Sequence, residues 1–290
     1  NVNEVELSFK LHCCSKLKDF VFKYEDLLGK EIWDVLDEKI QEEPGAFLSA
    51  INSYATRKKN IRIYLLIDEY DNFTNTILST YGTEFYRKAT HGEGFIRGFF
   101  NVIKSATTGT GAALERLFIT GVSPVTMDDV TSGFNIGTNI TNDSWFNDLV
   151  GFSENELREM LEYYKEQGVL QESIDEIVAM MKPNYDNYCF SEDTLEQCMF
   201  NSDMALYFLK SFVLHHKKPK EIVDPNIRTD FNKLAYLIKL DHGLGENFSV
   251  IKEIAEQGEI ITDIVTHFSA LEMTDPSNFK SLLFYFGLLS

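Results

Sequence analysis

The chain has 290 residues, 44% of them hydrophobic and 25% charged, enough to bury one large core or two, which excludes a disordered chain and a disulfide-stapled miniprotein. Its 27 Lys and Arg against 45 Asp and Glu give a formal charge of −18, spread unevenly: 15 basic against 21 acidic residues over 1–150, and 12 against 24 over 151–290. Such a surface repels phosphodiester backbones and anionic lipid, so nucleic-acid binding by this chain is disfavoured, and no apolar run reaches the length of a membrane span.

In chain order, the opening third reads as helical. Leu17, Phe20, Val21, Tyr24, Leu27 and Leu28 recur at helical spacing, and Phe47, Leu48, Ile51 and Tyr54 repeat the pattern. The period then changes. The run from Ile61 to Ile67 is β-branched and nearly continuous, as expected of a strand buried on both faces of a parallel sheet, and it ends in the polar cluster Asp68-Glu69-Tyr70-Asp71-Asn72. Phe95, Phe99, Val102 and Ile103 predict a helix, and Leu117-Phe118-Ile119, closed by Thr120-Gly121, predicts a second strand. Helix, strand, helix, strand is the grammar of an α/β sheet with crossover helices.

Beyond Gly151 the pattern is helix after helix. Ser153-Glu154-Asn155-Glu156 forms a capping box ahead of Leu157, Met160, Leu161 and Tyr164, with Gly168 as the stop. Ile174, Ile177, Val178 and Met181 predict the next helix, ended by Pro183, and the stretch Asn184–Phe200 alternates as a small hairpin does. Further helices are expected over 205–212, 230–240, 248–257 and 278–285, the last two spaced like a winged-helix module. The expected domains are therefore an α/β core over 1–150 and a mainly helical region over 151–290.

The chemistry concentrates at the end of the first strand. An apolar β-run delivering Asp68 and Glu69 at its carboxyl end is the Walker B pattern of nucleoside triphosphatases. Ligands of open α/β sheets bind at that end, where Asp68 can hold Mg²⁺ and Glu69 can orient or deprotonate a water. Its competing reading is a solvated strand end. Thr120 closes the second strand where a polar residue can sense a γ-phosphate, or serve only as a local backbone cap. The glycines of Thr108-Gly109-Thr110-Gly111 precede a strand and no lysine follows them, so they read as a turn and not as a phosphate cradle. Gly29-Lys30-Glu31, the sole Gly-Lys pair, lacks the hydroxyl of a phosphate loop. Cys13, Cys14, Cys189 and Cys198 show no metal-ligand spacing and read as reduced thiols of a cytoplasmic protein. The histidines, His91 and the His215-His216 pair among them, read as loop or surface residues, and the basic run 215–218 as a helix end complementing its dipole.

Ile63-Tyr64-Leu65-Leu66-Ile67-Asp68-Glu69-Tyr70-Asp71-Asn72-Phe73, together with Leu117-Phe118-Ile119-Thr120-Gly121-Val122-Ser123-Pro124-Val125, resembles the bacterial AAA-ATPase-like family. The stretches 128–135, 149–157 and 277–289 extend the resemblance along the chain. It implies a P-loop NTPase-like parallel sheet with flanking helices, a helical and winged-helix-like region after it, and Mg²⁺ and ATP as cofactors. By motif position Asp68 would be the metal carboxylate, Glu69 the base and Thr120 the polar sensor, with Asp71 and Ser123 beside the nucleotide. Family members typically carry a phosphate loop upstream and often a PD-(D/E)xK nuclease-like domain downstream; neither motif occurs in these residues. Since the chain begins with Asn1 rather than Met, the expectation is a fragment whose sheet is incomplete at its amino-terminal end, or a protein that has lost the loop. Two readings follow: a nucleotide-dependent regulatory module without turnover on its own, and a non-catalytic pseudo-ATPase scaffold whose acidic helical half binds a protein partner.

Overall fold

The computed structural model describes residues 2–58, 61–108, 112–122, 127, 129–130, 136–224, 246–286 and 289, and they form two compact units. One contains residues 1–137 and 244–282, the other 138–243 and 283–290.

In the first unit, α1 spans Val2–Lys23 and α2 Glu25–Leu28, followed by α3 (Glu38–Glu42) and α4 (Pro44–Arg57). Asp37 starts α3 by accepting the Ile40 amide hydrogen at 2.8 Å, and Pro44 opens α4, where its missing N–H leaves no bond unmade. β1 (Ile63–Ile67) is joined to β2 (Leu114–Ile119) through α5 (Asn72–Thr90) and α6 (Phe95–Thr107). The strands pair in parallel, as a connection containing two helices permits. Their register runs from Tyr64↔Arg116 to Ile67↔Ile119, after an irregularity between Ile63 and Tyr64.

The apolar run of β1 reads as a strand covered on both faces, but its burial alternates. Ile63 is buried and Leu65 and Ile67 are half-buried, whereas Tyr64 and Leu66 are 62% and 73% exposed. Its β-branched and aromatic residues thus reflect strand propensity more than double burial. The periodicity also misses α5. Four threonines (74, 76, 80 and 83) interrupt its apolar stripe, and Gly82, at φ +81°, breaks the helical geometry midway. What holds α5 is tertiary packing: Ile77, Leu78, Tyr86 and Ala89 are buried. Phe9 of α1 sits among Phe73, Phe95 and Phe99, with ring centroids 5.4, 5.4 and 5.7 Å away, and so anchors the first turns of α5 and α6.

A buried carboxylate braces this unit. Asp129, 5% exposed, accepts from the Tyr86 hydroxyl at 2.7 Å, the Ser269 hydroxyl at 2.6 Å and the Ala270 amide at 2.9 Å. His91 Nε2 lies 3.5 Å from the same group. The end of α5, residue 129 and the turn at 269–270 therefore share one acceptor, and the sequence reading of His91 as a plain loop residue misses that contact.

In the second unit, α7 (Glu154–Glu166) opens with the capping box the sequence spells: Ser153 Oγ accepts from the Glu156 amide at 3.2 Å, and Glu156 accepts from the Ser153 amide at 2.8 Å. α8 (Ile174–Tyr185) continues past Pro183, which costs it a backbone hydrogen bond only near its end. β3 (Asp186–Tyr188) and β4 (Met199–Phe200) pair antiparallel within the segment read as a hairpin. α9 (Ser202–His215) is capped by Asn201, whose Oδ1 accepts from the Met204 amide at 3.0 Å, and it closes on His216 at φ +52°, so the basic run does begin at a helix end. Leu157, Leu161, Ile177, Met181, Phe200 and Phe208 form the centre of this unit's core. Of the later helices, α10 (Glu246–Gln257) belongs to the first unit, as do all but the last residues of α11 (Pro276–Tyr285); the helix expected over 230–240 lies outside the described residues.

Candidate functional site

The two parallel strands end side by side, and the register alone decides what they present. One step beyond Ile67↔Ile119, Asp68 faces Thr120, and the Thr120 hydroxyl donates to Asp68 Oδ1. The backbone continues the pairing: the Thr120 amide donates to the Ile67 carbonyl at 2.8 Å, and the Tyr70 amide donates to the Thr120 carbonyl at 3.0 Å. Asp68 and Glu69 are both exposed.

Past Asp68 the chain turns sharply. Glu69 adopts φ +51°, a left-handed conformation that residues with a side chain seldom take, and its carbonyl accepts from the Asn72 amide at 3.0 Å. Strain of this kind persists where neighbours over-determine it and tends to collect at functional sites. The Glu69 carboxylate is held in the same turn, accepting from Asn72 Nδ2 at 3.0 Å.

Asp71 behaves differently. It is 1% exposed; its Oδ1 accepts from the Val122 amide at 3.1 Å and its Oδ2 from Asn75 Nδ2 at 3.1 Å. It thereby joins the first turn of α5 to the loop leaving β2. Gly121 makes this closeness possible: a Cβ there would run into the Tyr70 ring and lie 2.8 Å from Asp71 Oδ1. Asp68, Glu69, Asp71 and Thr120 thus gather at one end of the sheet. Ser123 and the Gly109–Gly111 turn lie outside the described residues. Sequence reasoning passed over Asn72 and Asn75, the amides that hold Glu69 and Asp71. The signal was present in their spacing, three and four residues behind the two acids on the first turn of a helix.

Exposed carboxylate and hydroxyl oxygens at a strand end suit a hard divalent cation such as Mg²⁺, which takes one or two protein carboxylates and fills its remaining positions with water and phosphate. Among the described residues, no group of three or more His, Cys, Asp or Glu side chains is arranged to hold a metal by itself. The donor set therefore fits a metal shared with a phosphate ligand and not a closed protein cage.

The arrangement defines a class: a parallel strand pair presenting adjacent acids and a hydroxyl at its carboxyl end. Residues 1–131 match the model of the AAA-ATPase-like family, described as "Predicted AAA-ATPase". That stretch contains β1, β2 and every described candidate residue, and it supports the resemblance over those positions. No curated protein and no solved structure matches the chain. Among the described residues no helix is long and apolar enough to cross a membrane.

Proposed function

We propose that this chain is an AAA-ATPase-like regulatory module whose Mg-ATP site is built on Asp68 and Glu69. The observation that carries the reading is the convergence of Asp68, Glu69 and Thr120 on one end of a parallel strand pair within the family-matched residues. Asp68 would hold Mg²⁺, with the Thr120 hydroxyl orienting its carboxylate; bound Mg²⁺ would neutralise phosphate charge. Glu69, once released by Asn72, would take a proton from an attacking water. Asp71 keeps the two loops in place from its buried position, and Ser123 stands two residues beyond the glycine that Asp71 touches. In functional terms the α/β core covers 1–150, and 151–290 is the helical, winged-helix-like region that nucleotide state would move; the compact units cross that division, since 244–282 cluster with the first. The sequence has no Gly-Lys-Ser/Thr phosphate loop, so by itself the chain binds nucleotide weakly and does not turn it over. Its setting is the cytoplasm, with nucleotide and a protein partner of the acidic helical half as ligands.

The alternative is a pseudo-ATPase scaffold. One observation favours it: both acids are already engaged within the fold, Asp68 by Thr120 and Glu69 by Asn72. Calorimetric melting with millimolar ATP and Mg²⁺ separates the two, because a ligand that binds the native state raises stability with the logarithm of one plus the ratio of its concentration to its Kd. The module reading expects a small Mg²⁺-dependent rise that Asp68→Ala abolishes, and no phosphate release. An identical response from wild type and Asp68→Ala would leave the scaffold standing. ATP hydrolysis lost on Glu69→Gln would overturn the claim of inactivity.

A further inference from the structure

β3 and β4 pair with Asp186 opposite Phe200 and, after an irregularity that sets two residues of β3 against one of β4, Tyr188 opposite Met199. Carried one step further, the antiparallel register sets Cys189 opposite Cys198. The same extension on the parallel pair correctly places Thr120 against Asp68, where a hydrogen bond joins them. Directly opposed residues of an antiparallel pair have Cα atoms roughly 4.5–5.5 Å apart, inside the span a disulfide bridges.

A second observation independently draws the two ends of the loop together. The side-chain amide of Asn147, itself buried, accepts from the Phe190 amide at 3.0 Å and donates to the Gln197 carbonyl at 3.0 Å. Phe190 and Gln197 are the neighbours of the two cysteines inside the loop, so one amide group holds both ends of the loop together. Both thiols are free and half-buried, and each bonds a carbonyl of the loop they flank: Cys189 to Ser191 at 3.1 Å and Cys198 to Leu195 at 3.7 Å. Burial first, then the carboxylate of Asp186 and Cys189, push the Cys198 thiol up. Cys13 and Cys14 offer no comparable pair. As consecutive residues of α1 they point about 100° apart around the axis.

We propose that Cys189 and Cys198 form a reversible dithiol switch, oxidised to an intramolecular disulfide by a glutathione-type disulfide. The thiolate of one cysteine attacks a sulfur of the small disulfide, forms a mixed disulfide and expels one small thiolate. The thiolate of the other cysteine then attacks the protein sulfur of that mixed disulfide, forms the Cys189–Cys198 bond and expels the second. The protein loses two electrons and two protons, and the small disulfide gains both as two thiols. Cytoplasmic disulfides are mostly of this transient, redox-responsive kind.

The test equilibrates the intact chain in glutathione buffers of increasing oxidised fraction, quenches with acid, alkylates free thiols and reads whole-protein mass and proteolytic peptides. The expected result is a species carrying two alkyl groups where the reduced chain carries four, in which Cys189 and Cys198 escape alkylation and their peptides are linked, reversed by dithiothreitol. Cys13→Ser with Cys14→Ser should leave it unchanged. Cys189→Ser or Cys198→Ser should remove it, with the remaining thiol carrying glutathione alone. Glutathione on both cysteines without a link, a bond through Cys13 or Cys14, a bond between chains, or four alkylated cysteines throughout would each overturn the proposal.

Discussion

Asp129→Ala tests whether the buried carboxylate holds the first unit together. The substitution leaves the Tyr86 hydroxyl, in a fully buried residue, and the buried Ala270 amide without the acceptor that each now uses. A buried donor stripped of its partner costs about 1–3 kcal/mol. Ser269 lies nearer the surface and can turn its hydroxyl to water, so it adds less. Non-additivity trims the total to about 3–5 kcal/mol, the range for breaking a buried charged network. Asn at 129 keeps the shape and one acceptor oxygen but turns an amide donor toward existing donors, and should cost about half as much. Tyr86→Phe removes one donor and leaves the carboxylate its other partners, for about 1 kcal/mol. Each unit carries one tryptophan, which makes the assay specific. Trp33 packs at 4.7 Å from Phe22 and donates to Glu25 at 2.7 Å, whereas Trp145 is 88% exposed. In a Trp145→Phe background, urea unfolding followed by Trp33 fluorescence reports the first unit alone. A loss below about 1 kcal/mol for Asp129→Ala, or a Tyr86→Phe loss equal to it, would refute the idea that this carboxylate is the organising acceptor.

Gly121→Ala forces a methyl group against the Tyr70 ring and Asp71, and is expected to cost about 1–3 kcal/mol as overpacking while shifting the Tyr70 and Val122 amide resonances; unchanged spectra would contradict the close approach. In the second unit, burial raises the Asp186 carboxyl more than Lys182, 3.7 Å away, lowers it. A raised folded pKa means stability that is complete below the unfolded value and declines as pH rises through the folded one. Asp186→Asn should therefore raise the melting temperature at pH 7 and change it little at pH 3, by circular dichroism. Glu154 and Glu156 have the opposite sign: Lys182 with Arg158, and the Ser153 amide, hold them below the usual range, so their contribution is present at neutral pH and fades as pH falls through their folded values in both proteins.

What could be read from the sequence follows from how local each determinant is. The capping box at Ser153 needs four consecutive residues, and it formed as spelled. The two strands were legible because β-branched runs are local too, and β2 proved longer than its apolar centre, starting at Leu114. Burial of β1 was not legible, since alternation depends on what covers the sheet. α5 escaped because its stability comes from contacts with distant residues such as Phe9, and not from a stripe of its own. Site placement divides the same way. Asp68 and Glu69 announce themselves at a strand end, whereas the pairing of Asp68 with Thr120 needs a parallel register between segments about fifty residues apart.

The candidate site separates into a fixed and a responsive part, and the partners decide which residue belongs to which. Asp71 is buried, bonded to a backbone amide of one loop and a side chain of the next helix, so moving it would open both. Thr120 is pinned only through its backbone; its amide and carbonyl are committed to Ile67 and Tyr70, and its hydroxyl can rotate off Asp68 without disturbing either bond. Glu69 is likewise held by a side-chain amide at the surface, and its left-handed backbone is stabilised by the turn bond to Asn72. On the proposed reading, a cation approaching Asp68 competes for the oxygen that Thr120 now bonds. The first response is then a hydroxyl rotation just past β2 and the release of one carboxylate, with the Asp71 brace unmoved. Ligand state would reach the rest of the chain through the loop after β2, whose first amide, that of Val122, is already tied to that brace.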